Sequence, residues 1–333
     1  MNAVQNAYDA IDKANPDAVT RAKCRALITG YDARYKDAGL TCESAEEWFR
    51  LPVVNPATGC SSRTFTQLGC YDGIVSHAGR RFLLEHKTTS EQIADPNAVY
   101  WRTRTIDQQV SMYALANWQS GEKIDGTIYD VIKKPTIRPK SIPKGSPKAD
   151  RLAAWGTQQE IVRFGTYCGF DVPVDESRTT ETPDLYEMRL TADTLDRPAV
   201  YFQRRIIPRL DSDILEWANE LWDVGQDILA ARNNERWYRN SGACSLYGAP
   251  CEYLSLCSGH DDTDSDNWES KVSSKNTLSH SRIRCFQTCR RKYFYRYEMG
   301  IQKAEQEERE ALYFGSIFHA ALEAWLLTFR KDV

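Results

Sequence analysis

Two short strands around residues 68–88 constrain this chain more than any other feature. Leu68-Gly-Cys-Tyr-Asp-Gly-Ile-Val-Ser76 is an apolar run carrying one acid, Asp72. His77-Ala-Gly-Arg80 supplies a turn, and Arg81-Phe-Leu-Leu-Glu-His-Lys-Thr88 returns with alternating character. Apolar runs joined by a short polar turn predict a β-hairpin. Glu85 and Lys87 are two residues apart and share a strand face, which Asp72 on the paired strand can reach. Two carboxylates converging on one point bind a hard divalent cation, and an ammonium beside them can hold or activate a water. That is the minimum chemistry for metal-assisted phosphodiester hydrolysis. A Glu-x-Lys triplet also occurs on ordinary solvated strands and helices, so the hairpin has to be weighed with the rest of the chain.

Three further segments bear on it. Ile106-Asp-Gln-Gln-Val-Ser-Met-Tyr-Ala-Leu-Ala-Asn-Trp118 has helical apolar spacing, and Gln109 and Tyr113, four apart, share a helix face. Ala311-Leu-Tyr-Phe-Gly-Ser-Ile-Phe-His-Ala-Ala-Leu-Glu-Ala-Trp325 predicts a helix opened by Gly315, with His319 and Glu323 one turn apart. Taken alone, Tyr113 and His319 read as core residues of amphipathic helices. The third segment is rich in cysteine. The chain has ten cysteines, no secretory signal and no apolar run long enough to span a membrane. A cytoplasmic setting keeps thiols reduced, so clustered cysteines point to a metal. Cys244, Cys251 and Cys257 cluster in one segment, and Cys285 and Cys289 in Arg284-Cys-Phe-Gln-Thr-Cys-Arg-Arg-Lys-Tyr-Phe-Tyr-Arg-Tyr297. Four thiolates suit an iron–sulfur cluster or zinc. Cys24, Cys42, Cys60, Cys70 and Cys168 are isolated, and Cys285, one turn from Cys289, reads as packing.

Together these motifs resemble the PD-(D/E)XK nuclease superfamily, and within it the RecB-like and AddB-like group that carries a 4Fe-4S cluster. The resemblance implies an α/β fold with a restriction-endonuclease-like core, a central mixed β-sheet flanked by helices, and a helical, cysteine-rich Fe–S region. It implies that Asp72, Glu85, His319 and the His86 carbonyl bind Mg²⁺ or Mn²⁺. Lys87 would then position the attacking water, with Gln109 and Tyr113 lining the site. It implies cluster ligation by Cys244, Cys251, Cys257 and Cys289. Six residues separate Cys244 from Cys251 where the family's tail motif often has two, and Arg290 stands where a Pro often follows the first cysteine. The family order begins with the Cys-aromatic helix and the Gly-x-x-x-His helix; here both come last. The chain therefore reads as a circular permutation, or as one domain followed by the start of another.

Residues 1–257 are expected to hold the nuclease core, 258–277 a flexible acidic linker, and 278–333 the two helices completing the same domain. An apolar fraction of 41% with nine Trp is ample for a core. Helices are expected at 3–15, 16–38, 42–50, 95–119, 149–170, 212–236, 279–298 and 308–330. Strands are expected at 66–76, 81–89, 125–134, 185–192 and 198–207. Lys133–Arg151 is Pro- and Lys-rich and reads as an exposed loop.

A net charge of −3 and a pI near 6.0 confine any DNA contact to a local patch. Arg282, Arg284, Arg290, Arg291, Lys292 and Arg296, interleaved with Phe286, Tyr293, Phe294, Tyr295 and Tyr297, form one candidate. Cations contact phosphates and aromatics stack on splayed bases, although the same residues could be core aromatics ringed by cations beside an anionic cluster. Lys133, Lys134, Arg138 and Lys140 form a second basic loop. The sequence is thus expected to encode a Mg²⁺- or Mn²⁺-dependent deoxyribonuclease, an exonuclease by resemblance. Its setting would be DNA recombination or repair in a bacterial or phage-infected cytoplasm, with a helicase, recombinase or annealing protein as partner. A non-cleaving DNA- or partner-binding module on the same fold is the alternative. A zinc-stapled structural protein would explain the cysteines but not the hairpin acids.

Overall fold

The computed structural model describes residues 2–141, 181–246, 249–271, 274–305 and 310–330. The expected helix at 149–170 and Cys168 lie outside them. The chain opens with two helices, α1 (Ala3–Lys13) and α2 (Ala18–Tyr35). Each is started by a side-chain cap: Asn2 accepts from Val4 N, and Asp17 accepts from Val19 N and Thr20 N.

A mixed sheet follows, in the order β1 (Leu40–Val54), β2 (Ser61–His77), β3 (Arg80–Thr89), β4 (Thr127–Lys133), β5 (Phe202–Ile207). The first three strands are antiparallel neighbours, β3 and β4 run parallel, and β4 and β5 antiparallel. The parallel step needs a crossover, supplied by α3 (Val99–Arg104) and α4 (Gln108–Ser120). Strand β4 is buried along its whole length because both its faces are covered. Ile128 and Ile132 join α1, α2 and α11 (Glu310–Leu327), while Tyr129 and Val131 pack with Tyr100, Trp101 and Val110 of the crossover. The α/β class and the helix-flanked mixed sheet match the sequence expectation.

Several elements differ from it. Residues 42–50, expected as a helix, lie within the long strand β1, whose pairing along β2 outweighs the helix-forming Glu and Ala residues. Residues 185–192, expected as a strand, belong to α5 (Pro183–Asp196). Thr182 caps that helix, Pro183 opens it, and Tyr186 and Leu190 pack on Ala22 and Ala26 of α2. The expected strand at 198–207 begins as the short helix α6 (Pro198–Tyr201) and becomes β5 only at Phe202.

Helix α7 (Asp211–Asn233) packs Trp217, Leu221 and Ile228 against Met112 and Leu115 of α4. Two two-residue strands, β6 (Ser245–Leu246) and β7 (Ala249–Pro250), and the short α8 (Leu254–Ser258) follow. The acidic stretch expected as a flexible linker carries local order among its described residues. Asp261 accepts from Ser265, Asn267 and the Trp268 indole, and β8 (Trp268–Ser270) pairs with β10 (Ile301–Lys303).

Strand β9 (Thr277–Leu278) then pairs in parallel with β2. The helix expected over 279–298 breaks at Cys289, whose backbone is extended, into α9 (His280–Thr288) and α10 (Arg290–Tyr293). A π-helical turn over Phe294–Met299 ends at Gly300, φ +70°. A Cβ there would stand 2.8 Å from the Lys271 carbonyl oxygen, so the turn requires glycine. Helix α11 packs Phe314, Phe318 and Leu322 into the core shared with α1 and α2, so these late residues complete the sheet's cover. Gly315, expected to open α11, lies inside it.

Candidate active site

The site lies where the sheet forks. Strands β2 and β3 pair from His77↔Arg80 to Gly73↔Leu84 and then part. Beyond the fork, β9 takes up the vacated edge of β2 at Thr66 and Gln67. In place of the next ladder bond, the His86 amide donates to Asp72 Oδ2 at 2.7 Å. Asp72 is therefore held at the mouth of the fork by the strand that carries Glu85 and Lys87.

Alternation along β3 sends Phe82 and Leu84 toward the α1–α2–α11 layer, and Leu83 toward Tyr113 of α4. Glu85 and Lys87 follow Leu83. Lys87 Nζ pairs with Glu85 and donates to Gln109 Oε1 at 3.0 Å. Gln109 Nε2 donates to the Tyr113 hydroxyl at 2.8 Å, and that hydroxyl donates to the Cys70 carbonyl at 2.6 Å. One continuous chain of hydrogen bonds thus runs from the ammonium through α4 back to β2. From the opposite layer, His319 of α11 brings Nδ1 to 3.8 Å from Asp72 Oδ2. Asp72, Glu85, Lys87, Gln109, Tyr113 and His319, all named from the sequence, meet in one place within a single chain.

Burial sets the electrostatics. Glu85 is 1% exposed, and burial raises its carboxyl to about 8, with Lys87 opposing and Asp72 reinforcing the rise. Burial disfavours the Lys87 ammonium, but Glu85 and the other anionic partners more than restore it and hold it well above the usual lysine range. Burial pushes His319 down to about 4 against the pull of Asp72, which keeps the imidazole a neutral donor. Glu85 Oε2 is buried with no hydrogen-bond partner. The His86 side chain brings Nδ1 to 3.3 Å from Asp130. Asp130 is fully buried, accepts from Tyr31, and accepts from Arg204 Nε at 3.0 Å.

One neighbour was not anticipated. Glu46 of β1, inside the stretch misread as a helix, lies opposite Asp72 in the β1–β2 register, and its Oε2 accepts from the Cys70 thiol at 3.4 Å. The signal was the strand-compatible run Trp48-Phe-Arg-Leu-Pro-Val-Val54, which argues for β structure over 40–54.

The four expected cluster ligands also converge. Cys244, Cys251, Cys257 and Cys289 line one cavity together with Arg239 and Lys292. The Cys251 amide donates to the Cys244 carbonyl at 2.8 Å, tying the first two together. Burial raises the Cys251 and Cys257 thiols, and the nearby Cys289 adds to both. Among the described residues, no group of three or more His, Cys, Asp or Glu is arranged as it stands to hold a metal ion, at the fork or in this cavity.

The residues of the candidate basic patch differ in their surroundings. Arg282 is 8% exposed, and its guanidinium donates to the Ser274 carbonyl and, at 2.8 Å, to the Thr277 carbonyl. It braces the β9 turn from inside. Arg290 pairs with Asp227 at 2.5 Å and covers Tyr238 and Phe286, and Lys292 pairs with Glu252 at 2.9 Å. Arg291 lies 6.0 Å from the Tyr295 ring, and Arg284 is the exposed member of the group. In the second basic loop, Lys133 is buried and donates to Gln92 at 2.8 Å, and Lys134 stacks over Phe314.

Among the described residues no helix is long and apolar enough to cross a membrane. No curated protein and no solved structure matches the chain. Residues 277–331, which run from β9 through α9 and α10 to the His319 helix, match the family model of the PD-(D/E)XK nuclease superfamily.

Proposed function

We propose that this protein is a divalent-cation-dependent nuclease that hydrolyses DNA phosphodiester bonds at the β2–β3 fork. The observation that carries the reading is the convergence of Asp72, Glu85 and Lys87, with Gln109 holding Lys87 and His319 arriving from the facing layer. The donor set fits Mg²⁺ or Mn²⁺, since it consists of hard carboxylate oxygens, one carbonyl and one neutral imidazole, and Glu85 Oε2 has a free buried lone pair. Asp72, Glu85, His319 and the His86 carbonyl would hold the ion. When bound, it supplies charge stabilisation to the phosphoryl oxygens. Lys87 orients the attacking water by its hydrogen bond and compensates negative charge as the bond breaks. Gln109 fixes the Lys87 ammonium, and Tyr113 fixes Gln109.

The cysteine cavity supports a 4Fe-4S cluster as a second, structural group held by Cys244, Cys251, Cys257 and Cys289. Arg239 and Lys292 beside the thiols suit a cluster of net negative charge. The packing of α11 against the hairpin side of the same chain supports the reading of the motif order as a permutation within one domain.

End-labelled single- and double-stranded DNA incubated with Mg²⁺ or Mn²⁺ tests the activity. Wild-type protein should cleave, and Lys87→Ala should lose about a hundredfold or more, the scale of an oriented electrostatic contact. Full activity in Lys87→Ala would remove the mechanism, and no cleavage by wild type with either cation would favour the binding-module alternative. Anaerobic purification tests the cluster: brown protein with iron and sulfide supports it, and zinc without iron replaces it. Cys289→Ser should lose the metal and destabilise the fold, because metal binding and folding are linked.

A further inference from the structure

Trp48 is 68% exposed, although the strand that carries it is paired along its length with β2. Alternation explains the exposure. Phe49 and Leu51 turn to the α4 side, where they pack with Tyr71 and Tyr113, so Trp48 and Arg50 turn to the opposite side. The core on that side takes in Leu40, Cys42 and Ala45 of β1, and Trp48 lies beyond them. The register places Trp48 directly opposite Cys70, and Arg50 opposite Leu68. Opposed residues of an antiparallel pair share a face. Cys70 is at the fork: its thiol donates to Glu46, and burial raises that thiol with Glu46, Asp72 and Glu85 reinforcing the rise. Asp72, two residues on, is the diagonal neighbour of Trp48, a spacing of about 7–8 Å in a regular ladder. Trp48 and then Arg50 therefore lead outward from the fork along one open face. Arg50 is exposed and makes no ion pair among the described residues. Glu47 alternates to the Tyr71 side, away from both.

An indole left in water on an edge strand is a liability for the free protein, and it adds nothing to this fold. A nucleobase can cover it, because every base has a flat face and its stacking on an aromatic ring tolerates any sequence. We infer that Trp48 is a stacking platform for one base of single-stranded DNA, and that Arg50 contacts a phosphate of the same strand, whose scissile bond lies at the fork. The inference rests on the hydrolase reading above and adds a strand preference to it. A paired duplex keeps its bases within its own stack and offers none to the ring. A single strand or a frayed end offers both the base and the phosphate.

Fluorescence anisotropy of a labelled oligonucleotide, without added divalent cation, reads binding apart from cleavage. Trp48→Ala should weaken binding of a single strand about tenfold, the scale of one lost base stack, and leave duplex binding unchanged. Trp48→Phe, which keeps a ring, should retain most of the affinity. Single abasic positions moved along the oligonucleotide should show one position that costs wild type about as much, and none that costs Trp48→Ala. Arg50→Gln should lower the slope of log affinity against log salt by about 0.7, the value for one phosphate of a single strand, and Trp48→Ala should leave that slope alone. Both side chains are exposed, so the variants should melt like wild type. Wild-type binding by Trp48→Ala overturns the inference while the hydrolase reading stands. Equal losses on single strand and duplex, or a loss that no abasic position reproduces, also overturn it. So does a Trp48→Ala protein that keeps its DNA affinity but loses self-association, which would make the face a contact between copies. If wild type neither binds nor cleaves any DNA, the hydrolase reading falls and this inference with it.

Discussion

The His86 amide donates to Asp72 Oδ2 across 2.7 Å, and this bond joins β2 to β3 where their backbone ladder has already ended. A side chain thus replaces a main-chain acceptor, and the fork stays open enough for Glu85 and Lys87 to stand beside Asp72. Asp72 therefore has two roles that mutation can separate.

Asp72→Asn keeps an oxygen for the His86 amide but removes the charge. Asp72→Ala removes both and leaves a largely buried N–H without a partner, at a cost of about 1–3 kcal/mol. Both should reduce Mn²⁺-dependent cleavage about a hundredfold. Only the Ala variant should shift the urea midpoint. Equal midpoints for the two variants would show that the bond does not hold the fork.

Gly69→Ala should disturb the site from a distance. A Cβ there would lie 2.5 Å from Phe49 Cε1 and 3.0 Å from Tyr113 Cε1. Both rings are packed, and Tyr113 anchors Gln109, which anchors Lys87. We expect about 1–3 kcal/mol of destabilisation by overpacking and a clear fall in turnover. At Gly73, an added Cβ would meet Leu326 Cδ2 at 2.9 Å, on α11 rather than α4. Gly73→Ala should therefore leave the Lys87–Gln109–Tyr113 chain in place. Thermal melts and single-turnover rates of the two variants distinguish these outcomes.

Asp130 supports β3 and β4 from below. Burial opposes its charge, but Arg204, His86 and Tyr31 hold its carboxyl below the usual range. Asp130→Ala would leave Arg204 buried without its carboxylate and should cost about 3–5 kcal/mol. In the wild type this depressed carboxyl contributes stability above its unfolded pKa, and that stability is lost as pH falls. Chemical denaturation of both proteins between neutral and acid pH would show it, and a shallow loss at neutral pH would contradict the role.

Glu187 on α5 has the opposite sign. Burial raises its carboxyl to about 7, with Arg25 opposing. The folded protein then holds a proton that the unfolded chain releases near pH 4.5, so stability falls as pH rises between about 4.5 and 7. Glu187→Gln, which cannot ionise, should remove that slope and be the more stable protein at pH 8. Urea midpoints at pH 5 and pH 8 give the comparison; parallel pH dependence in the two proteins would exclude the group.

The elements readable from the amino-acid order are those whose causes are local. The hairpin follows from alternation and a four-residue turn, α1 and α2 from apolar spacing and polar caps, and α7 from apolar spacing. With them came the acids, Glu-x-Lys and the Gln109–Tyr113 face, because period 2 and period 3.6 alone decide which neighbours share a side. Strand β1 and helix α5 were misread because their sequences tolerate either state. Pairing with β2 settled the first, and packing of Tyr186 and Leu190 on α2 settled the second.

Only the tertiary structure decided which distant residues enter the site and which are withdrawn. His319 stands 3.8 Å from Asp72 although they are 247 positions apart in the chain, because α11 packs against the sheet's covered face. Glu46 stands opposite Asp72 through the register of β1 on β2, which depends on every pair along two long strands. Arg282 resembled a phosphate contact in sequence, yet it is buried against backbone carbonyls, since charge is written in the chain and burial is not. Local order follows from short-range sterics and hydrogen bonding. The choice of neighbours follows from burying apolar faces together, a property of the whole chain.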